Sequence, residues 1–217
     1  MVKDTGERII PSYMKPSNGL LLEHLARYDF AKPYVHGRVL DMACGSGYGT
    51  ANVAKSRKKE ITEIIGTDVD EDIIRFAQKE YYHPLMTFKV ADGTSPDLKD
   101  QLGTFDSILS FETIEHVPDD RAFFKQLMSL LNPGGYLVLS TPIGRGRAVP
   151  SRSPFHYYEL TEAELTELVN DPCVGVSSTM IYYQNSVALE REKREGVHYP
   201  IAVVVIKKRV SKETPDQ

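Results

Sequence analysis

Cysteine is scarce in this chain, with two in 217 residues, Cys44 and Cys173. They lie far apart and match no metal-ligand spacing, which argues against a zinc site or a disulfide framework. No grouping of His, Asp and Glu in the sequence demands a metal either, so none is expected. Free thiols suit a reducing compartment, and the expected location is cytoplasmic. Long apolar runs are missing too. Ile201–Ile206 is among the longest, far short of the ~20 residues that cross a bilayer. The charged opening, Met1 to Pro11, lacks the apolar heart of a signal peptide. A membrane is therefore not an expected partner. Positive charge is not in excess: 26 Lys and Arg face 30 Asp and Glu, for a net charge of -4. Nucleic-acid binders usually leave a basic footprint, so nucleic acid is not an expected partner. No internal repeat or low-complexity linker interrupts the chain. At 41% hydrophobic content it suits one domain with a real core.

What is present is an alternation of short apolar runs and longer amphipathic segments. Ser17 to Tyr34 reads as a helix ended near Pro33. Arg38–Met42 reads as a strand, with a helix from Tyr48 to Ser56. Glu63–Thr67 and Met86–Val90 are strands, separated by a helix over Asp70–Tyr81. Phe105–Ser110 is a fourth strand, and Asp119–Leu131 a helix closed by the turn Asn132-Pro133-Gly134-Gly135. Tyr136–Ser140 is a fifth strand. A long loop, Thr141 to Leu160, follows; loops of that length are uncommon and often functional. Thr161 with Glu164 forms a capping box for the next helix. Val174–Tyr183 and Tyr199–Lys208 should pair antiparallel, since no crossover helix separates them. The fold class is α/β: a Rossmann-like, seven-stranded, mainly parallel sheet with helices on both faces and a C-terminal antiparallel strand pair.

The most informative stretch is Val39-Leu40-Asp41-Met42-Ala43-Cys44-Gly45-Ser46-Gly47-Tyr48-Gly49. Apolar residues end a strand, an acid stands at its last turn, and glycines lead into a helix. A dinucleotide site wants Gly-x-Gly-x-x-Gly. Here the spacing is Gly45-x-Gly47-x-Gly49, and Asp41 would repel a pyrophosphate while tolerating a cationic ligand. A nicotinamide-dependent oxidoreductase is disfavoured on both counts.

These residues resemble the first motif of the class I S-adenosylmethionine-dependent methyltransferases, and the chain looks like a type 11, stand-alone bacterial member. Ala43 stands where glycine is commoner, so its backbone should avoid strongly positive φ. Four further stretches follow in the family's order. Ile64-Ile65-Gly66-Thr67-Asp68 resembles the second strand, whose terminal acid takes the ribose hydroxyls while Val69 would lie on adenine. Val90-Ala91-Asp92-Gly93 resembles the loop whose acid accepts from the adenine amino group. Phe105–Ser110 and Leu130–Leu137 resemble the fourth strand and the entry to the fifth. Together they span Arg38–Ser140, about half the chain. The resemblance implies S-adenosyl-L-methionine as cofactor, bound by Asp41, Ala43, Gly45, Gly47, Asp68, Val69, Asp92, Gly93 and Phe111. Arg27, whose guanidinium grips a carboxylate bidentately, is expected to close with Tyr28 over the donor's carboxylate. Thr5-Gly6-Glu7-Arg8 and Glu23–Tyr28 look like members near sugar and natural-product methyltransferases. The expected organisation is a single domain over 1–217: a helical cap (1–36), a donor-binding core (37–141), and an acceptor loop with the last strands (142–217).

Methyl transfer needs alignment and exclusion of water more than it needs special side chains. A hydroxyl acceptor also needs a general base. His116, in Phe111-Glu112-Thr113-Ile114-Glu115-His116, and His156, in Ser153-Pro154-Phe155-His156-Tyr157-Tyr158, are the candidates, because imidazole titrates near neutrality. Glu112 could face the donor, and Tyr13, Tyr157 and Tyr158 could line an acceptor pocket. Lys207-Lys208-Arg209 reads as a solvated tail. The expected reaction is methylation of a small-molecule acceptor, at oxygen. A donor-binding regulatory module and an RNA methyltransferase are the alternatives. A homodimer is compatible with the sequence.

Overall fold

The computed structural model describes residues 8–210. Its centre is one eight-stranded sheet made of β1 (Gly37–Met42), β2 (Ile61–Asp68), β3 (Met86–Val90), β4 (Phe105–Phe111), β5 (Leu131–Pro142), β6 (Val176–Asn185), β7 (Ala188–Glu190) and β8 (Ile201–Lys208). The spatial order is β3-β2-β1-β4-β5-β8-β6-β7. The first five strands run parallel. β8 lies antiparallel between β5 and β6. The expected antiparallel pair is therefore present. Among the described residues the strand count is eight rather than seven, because the three residues of β7 fold back on β6 as a hairpin.

Helices α1 (Gly19–Ala31), α2 (Tyr48–Ser56), α3 (Glu71–Glu80), α4 (Leu98–Leu102), α5 (Asp120–Leu130) and α6 (Glu162–Val169) flank the sheet. Strand side chains alternate between faces, and the core divides accordingly. Leu40, Ile108 and Leu137 bury against Phe123, Leu127, Leu165 and Leu168 of α5 and α6. Val39, Ile64, Leu109 and Val138 bury against Leu21, Tyr28 and Val53 of α1 and α2.

Local chemistry sets the helix starts. Asn18 Oδ1 accepts from Leu21 N–H at 3.1 Å. Asp70 caps α3 through the Asp72 and Ile73 amides, and Asp119 caps α5 through Ala122. The capping box of Thr161 and Glu164 is formed. α1 is shorter than the expected Ser17–Tyr34 helix, since Pro33 turns its end into a 3-10 turn over Lys32–Tyr34. Two segments differ more. Asn132-Pro133-Gly134-Gly135 is a bulge inside β5, which already pairs at Leu131 with Phe105 and resumes at Tyr136 with Ser107. Lys207 and Lys208 belong to β8 rather than to a tail, and Lys208 Nζ donates to the Met128 and Leu131 carbonyls at 2.6 Å each. No helix among the described residues is long and apolar enough to cross a membrane.

Between β1 and β4 the order of the sheet reverses. The loops leaving these two strands part in opposite directions, and a crevice opens at the C-terminal edge.

Candidate active site

That crevice is a cavity of ≈ 680 Å³, within the roughly 300–1,000 Å³ usual for cofactor and ligand sites. Ala43 and Gly45 after β1, Asp68 at the end of β2 with Val69 after it, Asp92 and Gly93 after β3, and Phe111 at the end of β4 all line it. The parallel sheet brings these positions together, since each lies at or just beyond a strand's C-terminal end.

Asp68 is held in place by its neighbours. Its Oδ2 accepts from Gly45 N–H at 3.1 Å and its Oδ1 from Asp70 N–H at 3.0 Å. Val69, beside it, is 70% exposed, an apolar side chain presented to the cavity with nothing over it. Asp92 Oδ1 accepts from the amide and hydroxyl of Thr94 at 2.8 and 2.7 Å. An anchored carboxylate, an uncovered apolar face and a second carboxylate in one crevice fit a nucleoside with ribose hydroxyls and an adenine ring. Gly45, at φ +55°, leaves open space where a Cβ would be. Ala43 departs from expectation: its φ is +56°. The turn imposes the left-handed conformation on a residue with a Cβ, at a cost of order 1–3 kcal/mol.

Three residues expected at the donor do not line the cavity. Gly47 lies in the turn at φ +84°, where a Cβ would stand 2.6 Å from the Phe88 ring; its role is close packing. Arg27 is buried in α1, and its Nη1 donates to Gln184 Oε1 on β6 at 2.9 Å rather than reaching into the crevice. Asp41 sits behind the glycine turn. Tyr28 donates its hydroxyl to both Asp41 oxygens at 3.2 Å, and Thr50 Oγ1 donates to Oδ2 at 2.5 Å.

Burial pushes the Asp41 carboxyl up from 3.8 to about 7, against the opposing pull of the Thr50 and Tyr28 hydroxyls. The native state therefore keeps a proton that the unfolded chain gives up. The contribution is fully present below 3.8 and is lost as pH rises through about 7. We expect the stability of the unaltered protein relative to Asp41→Asn to fall as pH rises across this window. Urea denaturation of both proteins at several pH values checks this; a difference between them that does not change with pH would refute it.

The other end of the cavity comes from the turn after β4 and the loop after β5. Glu112, Glu115, His116, Phe155 and His156 line it. The His116 and His156 rings meet edge to face with centroids 4.8 Å apart. The loop reaches over as its length suggested. Tyr157 N–H donates to the Glu115 carbonyl at 2.9 Å, and Arg147 pairs with buried Asp120 on α5. His116 Nδ1 lies 3.1 Å from the Phe155 carbonyl, and His156 Nδ1 lies 3.1 Å from Glu159 Oε1.

Glu112 also takes a left-handed backbone, φ +49°, and its Oε1 accepts from Ser140 Oγ at 2.8 Å. Tyr158 is structural, accepting from Asp120 N–H at 3.1 Å. Tyr13 and Tyr157 stand outside the lining. Sequence reasoning passed over Glu115. It is 2% exposed, and its Oε2 accepts from Thr141 Oγ1 at 3.2 Å. Burial first, then the nearby Glu112 charge, pushes its carboxyl well above the usual range. The available signal was its place three residues after Glu112 and directly before His116. His24, also unremarked in the sequence, lines the cavity; burial followed by Arg27 lowers its pKa to about 3, so it is neutral. Thr5-Gly6-Glu7 lies outside the described residues. Arg8 pairs with Asp70 at 2.9 Å.

Comparison with known proteins agrees with this geometry. Residues 40–139 match the family described as "Methyltransferase domain". The "Probable S-adenosylmethionine-dependent methyltransferase" of Mycolicibacterium smegmatis is 31% identical over 197 residues, covering 88% of this chain and 73% of that protein. The "Ubiquinone biosynthesis O-methyltransferase" of Xanthomonas axonopodis pv. citri is 32% identical over 48% of this chain and 42% of its own length. Among solved structures, an S-adenosylmethionine-dependent methyltransferase of Methanosarcina mazei superposes with a TM-score of 0.59 at 21% identity. It covers 83% of this chain and 97% of its own. With β-strand tips converging on one crevice, and a relative matched over most of both lengths, the chain belongs to the S-adenosylmethionine-dependent methyltransferases.

Proposed function

We propose that this methyltransferase acts on a small-molecule acceptor and methylates an oxygen. The observation that carries the reading is the meeting of two ends in one cavity: Asp68 and Val69 at one, and His116 with His156 at the other. S-adenosylmethionine, when bound, supplies a methyl group already activated on a sulfonium. The chain's own residues must orient the two reactants, keep water out, and accommodate the proton the acceptor hydroxyl loses. Asp68 and Val69 seat the nucleoside, with Asp92 beside the adenine. Phe155, 48% exposed at the cavity, offers an apolar wall to the acceptor. The acceptor's oxygen gives up its proton at the corner formed by His116 and His156. The O-methyltransferase relative supports oxygen as the target.

The test compares donor binding with turnover. His116→Ala and His156→Ala are each expected to lower turnover roughly 10²-fold or more, the usual range for losing proton management. Affinity for S-adenosylhomocysteine, measured by calorimetry, should stay near that of the unaltered protein. A set of hydroxyl-bearing small molecules, assayed with labelled donor, identifies the acceptor. Full turnover in both variants would remove the corner from the chemistry.

A further inference from the structure

We infer that Glu115 is the counter-charge for the donor's sulfonium: it carries a proton in the free protein, gives it up when the cationic donor binds, and ends each turnover holding the proton that the acceptor has lost. The first two steps rest on membership of the family alone. The last rests on the proposed acceptor corner as well.

Glu115 stands on the 3-10 turn after β4 and lines the same cavity as Asp68 and Val69. It is buried, Thr141 Oγ1 donates to its Oε2, and its Oε1 has no hydrogen-bond partner among the described residues. A buried polar atom left unpaired is costly, so that oxygen is set to respond to what enters the cavity. Glu112, three residues earlier, lines the cavity too, with its Oε1 held by Ser140 Oγ. The other groups about Glu115 are His116 on its own turn, Arg27 on α1, Thr141 on β5 and His156 on the loop after β5.

Burial, then the Glu112 charge, keeps the proton on Glu115; the Thr141 hydroxyl and the Arg27 charge pull the other way and do not win. A cation entering the cavity reverses the balance, because an opposite charge within about 4–6 Å favours the carboxylate. S-adenosylmethionine brings that charge on its sulfur, whereas S-adenosylhomocysteine is neutral there. Ionised Glu115 attracts the first and gains nothing from the second, so it separates donor from product.

The proton balance closes inside the cavity. The acceptor's O–H bond breaks as its O–CH₃ bond forms, and the electron pair of the S–CH₃ bond stays on sulfur as a thioether. His116 takes the proton first. Its Nδ1 faces the Phe155 carbonyl at 3.1 Å, which only accepts, so the ring proton belongs on Nδ1 and the lone pair on Nε2. The imidazolium then returns a proton to the Glu115 carboxylate. One oxygen of Glu115 and one ring nitrogen each of His116 and His156 lie within 4.8 Å of one another, a gap that one water or a side-chain rotation spans. The positive charge of the sulfonium and the negative charge of the carboxylate thus disappear together, and the next donor sends the proton to solvent.

Calorimetric titration of S-adenosylmethionine and of S-adenosylhomocysteine into the full chain, without acceptor, in phosphate and in Tris buffer, counts the protons released. The donor should release up to about one proton more than the product, and its affinity relative to the product should climb with pH by up to about tenfold per unit. Glu115→Gln should abolish both effects while S-adenosylhomocysteine still binds, which shows that the variant is folded. It should also lower turnover by roughly tenfold or more, with part restored in Glu115→Asp, which keeps an ionisable group. Equal release by donor and product overturns the inference, as does extra release that persists in Glu115→Gln or that Asp41→Asn alone removes. If the extra release is missing while the histidine variants lose turnover, the counter-charge is refuted and the acceptor corner stands. If Glu115→Gln loses the extra release while the histidine variants turn over fully, the counter-charge stands and the proton's return through His116 falls with the corner.

Discussion

Asp68→Ala is expected to weaken S-adenosylhomocysteine binding by about 1–3 kcal/mol, roughly 5- to 150-fold, the usual consequence of removing a charged hydrogen-bond partner. Asp68 sits at the tip of β2 with one oxygen on the Gly45 amide and the other on the Asp70 amide. It thereby joins the glycine turn to the start of α3 and offers its remaining acceptor capacity to the crevice. The alanine variant removes both functions, so its melting temperature must be measured alongside. Asp68→Asn separates them. The amide oxygen can still accept from Asp70, but the NH₂ group cannot accept from Gly45 or from a ribose hydroxyl. A smaller loss of affinity with nearly native stability is expected. Titration calorimetry that finds native affinity in both variants would take Asp68 out of the donor site.

Gly49→Ala should be the most damaging change to the fold. A Cβ at Gly49 would stand 1.9 Å from Cζ of Tyr28 and 2.1 Å from its Cε2. Tyr28 has little room to move. It is 4% exposed, meets Phe111 edge to face at 4.9 Å and Tyr48 at 5.7 Å, and donates its hydroxyl to buried Asp41. Alanine is the better helix former by about 1 kcal/mol, which opposes the clash. Overpacking costs about 1–3 kcal/mol, and displacing the tyrosine strips Asp41 of a donor for about 1 kcal/mol more. The net loss is about 2 kcal/mol, or roughly 4–8 °C in melting temperature for a chain of this size. A melting temperature equal to or above that of the unaltered protein would mean that α1 and α2 are not packed as described.

Much of this architecture can be read from the amino acids because the core strands are short, apolar and regularly spaced. The register that joins Leu40 to Ile65 and Ile108 follows from such runs. The misreadings have local causes. Asn132-Pro133-Gly134-Gly135 has every mark of a turn, yet the ladder with β4 resumes beyond it; Gly135 is needed because a Cβ there would meet the Asp106 carbonyl at 2.6 Å. That contact lies across the sheet and leaves no trace in local spacing. β7 is three residues long, too short for any periodicity.

At the site, the positions of Asp68, Val69 and Asp92 at strand tips are legible because the tips follow from the strands. Asp41 is not, since its partners Tyr28 and Thr50 come from two different helices. Glu115 shows the same limit. Its residue type promises solvent exposure, and only the 3-10 turn Ile114–His116 under the long loop carries it indoors.

The placement of β8 between β5 and β6 bears on how the polypeptide matures. Residues 176–190 are synthesised before β8, yet they reach the sheet only through it. At a translation rate of about 5–20 residues per second, the β6–β7 hairpin emerges with nothing to join. The twelve-residue strand β5 meanwhile waits as a bare margin of the nascent sheet, an open template for another polypeptide. Residues 201–208 end that interval in one step, satisfying both neighbours at once, so the time β5 spends as an open margin is limited by how soon they leave the ribosome.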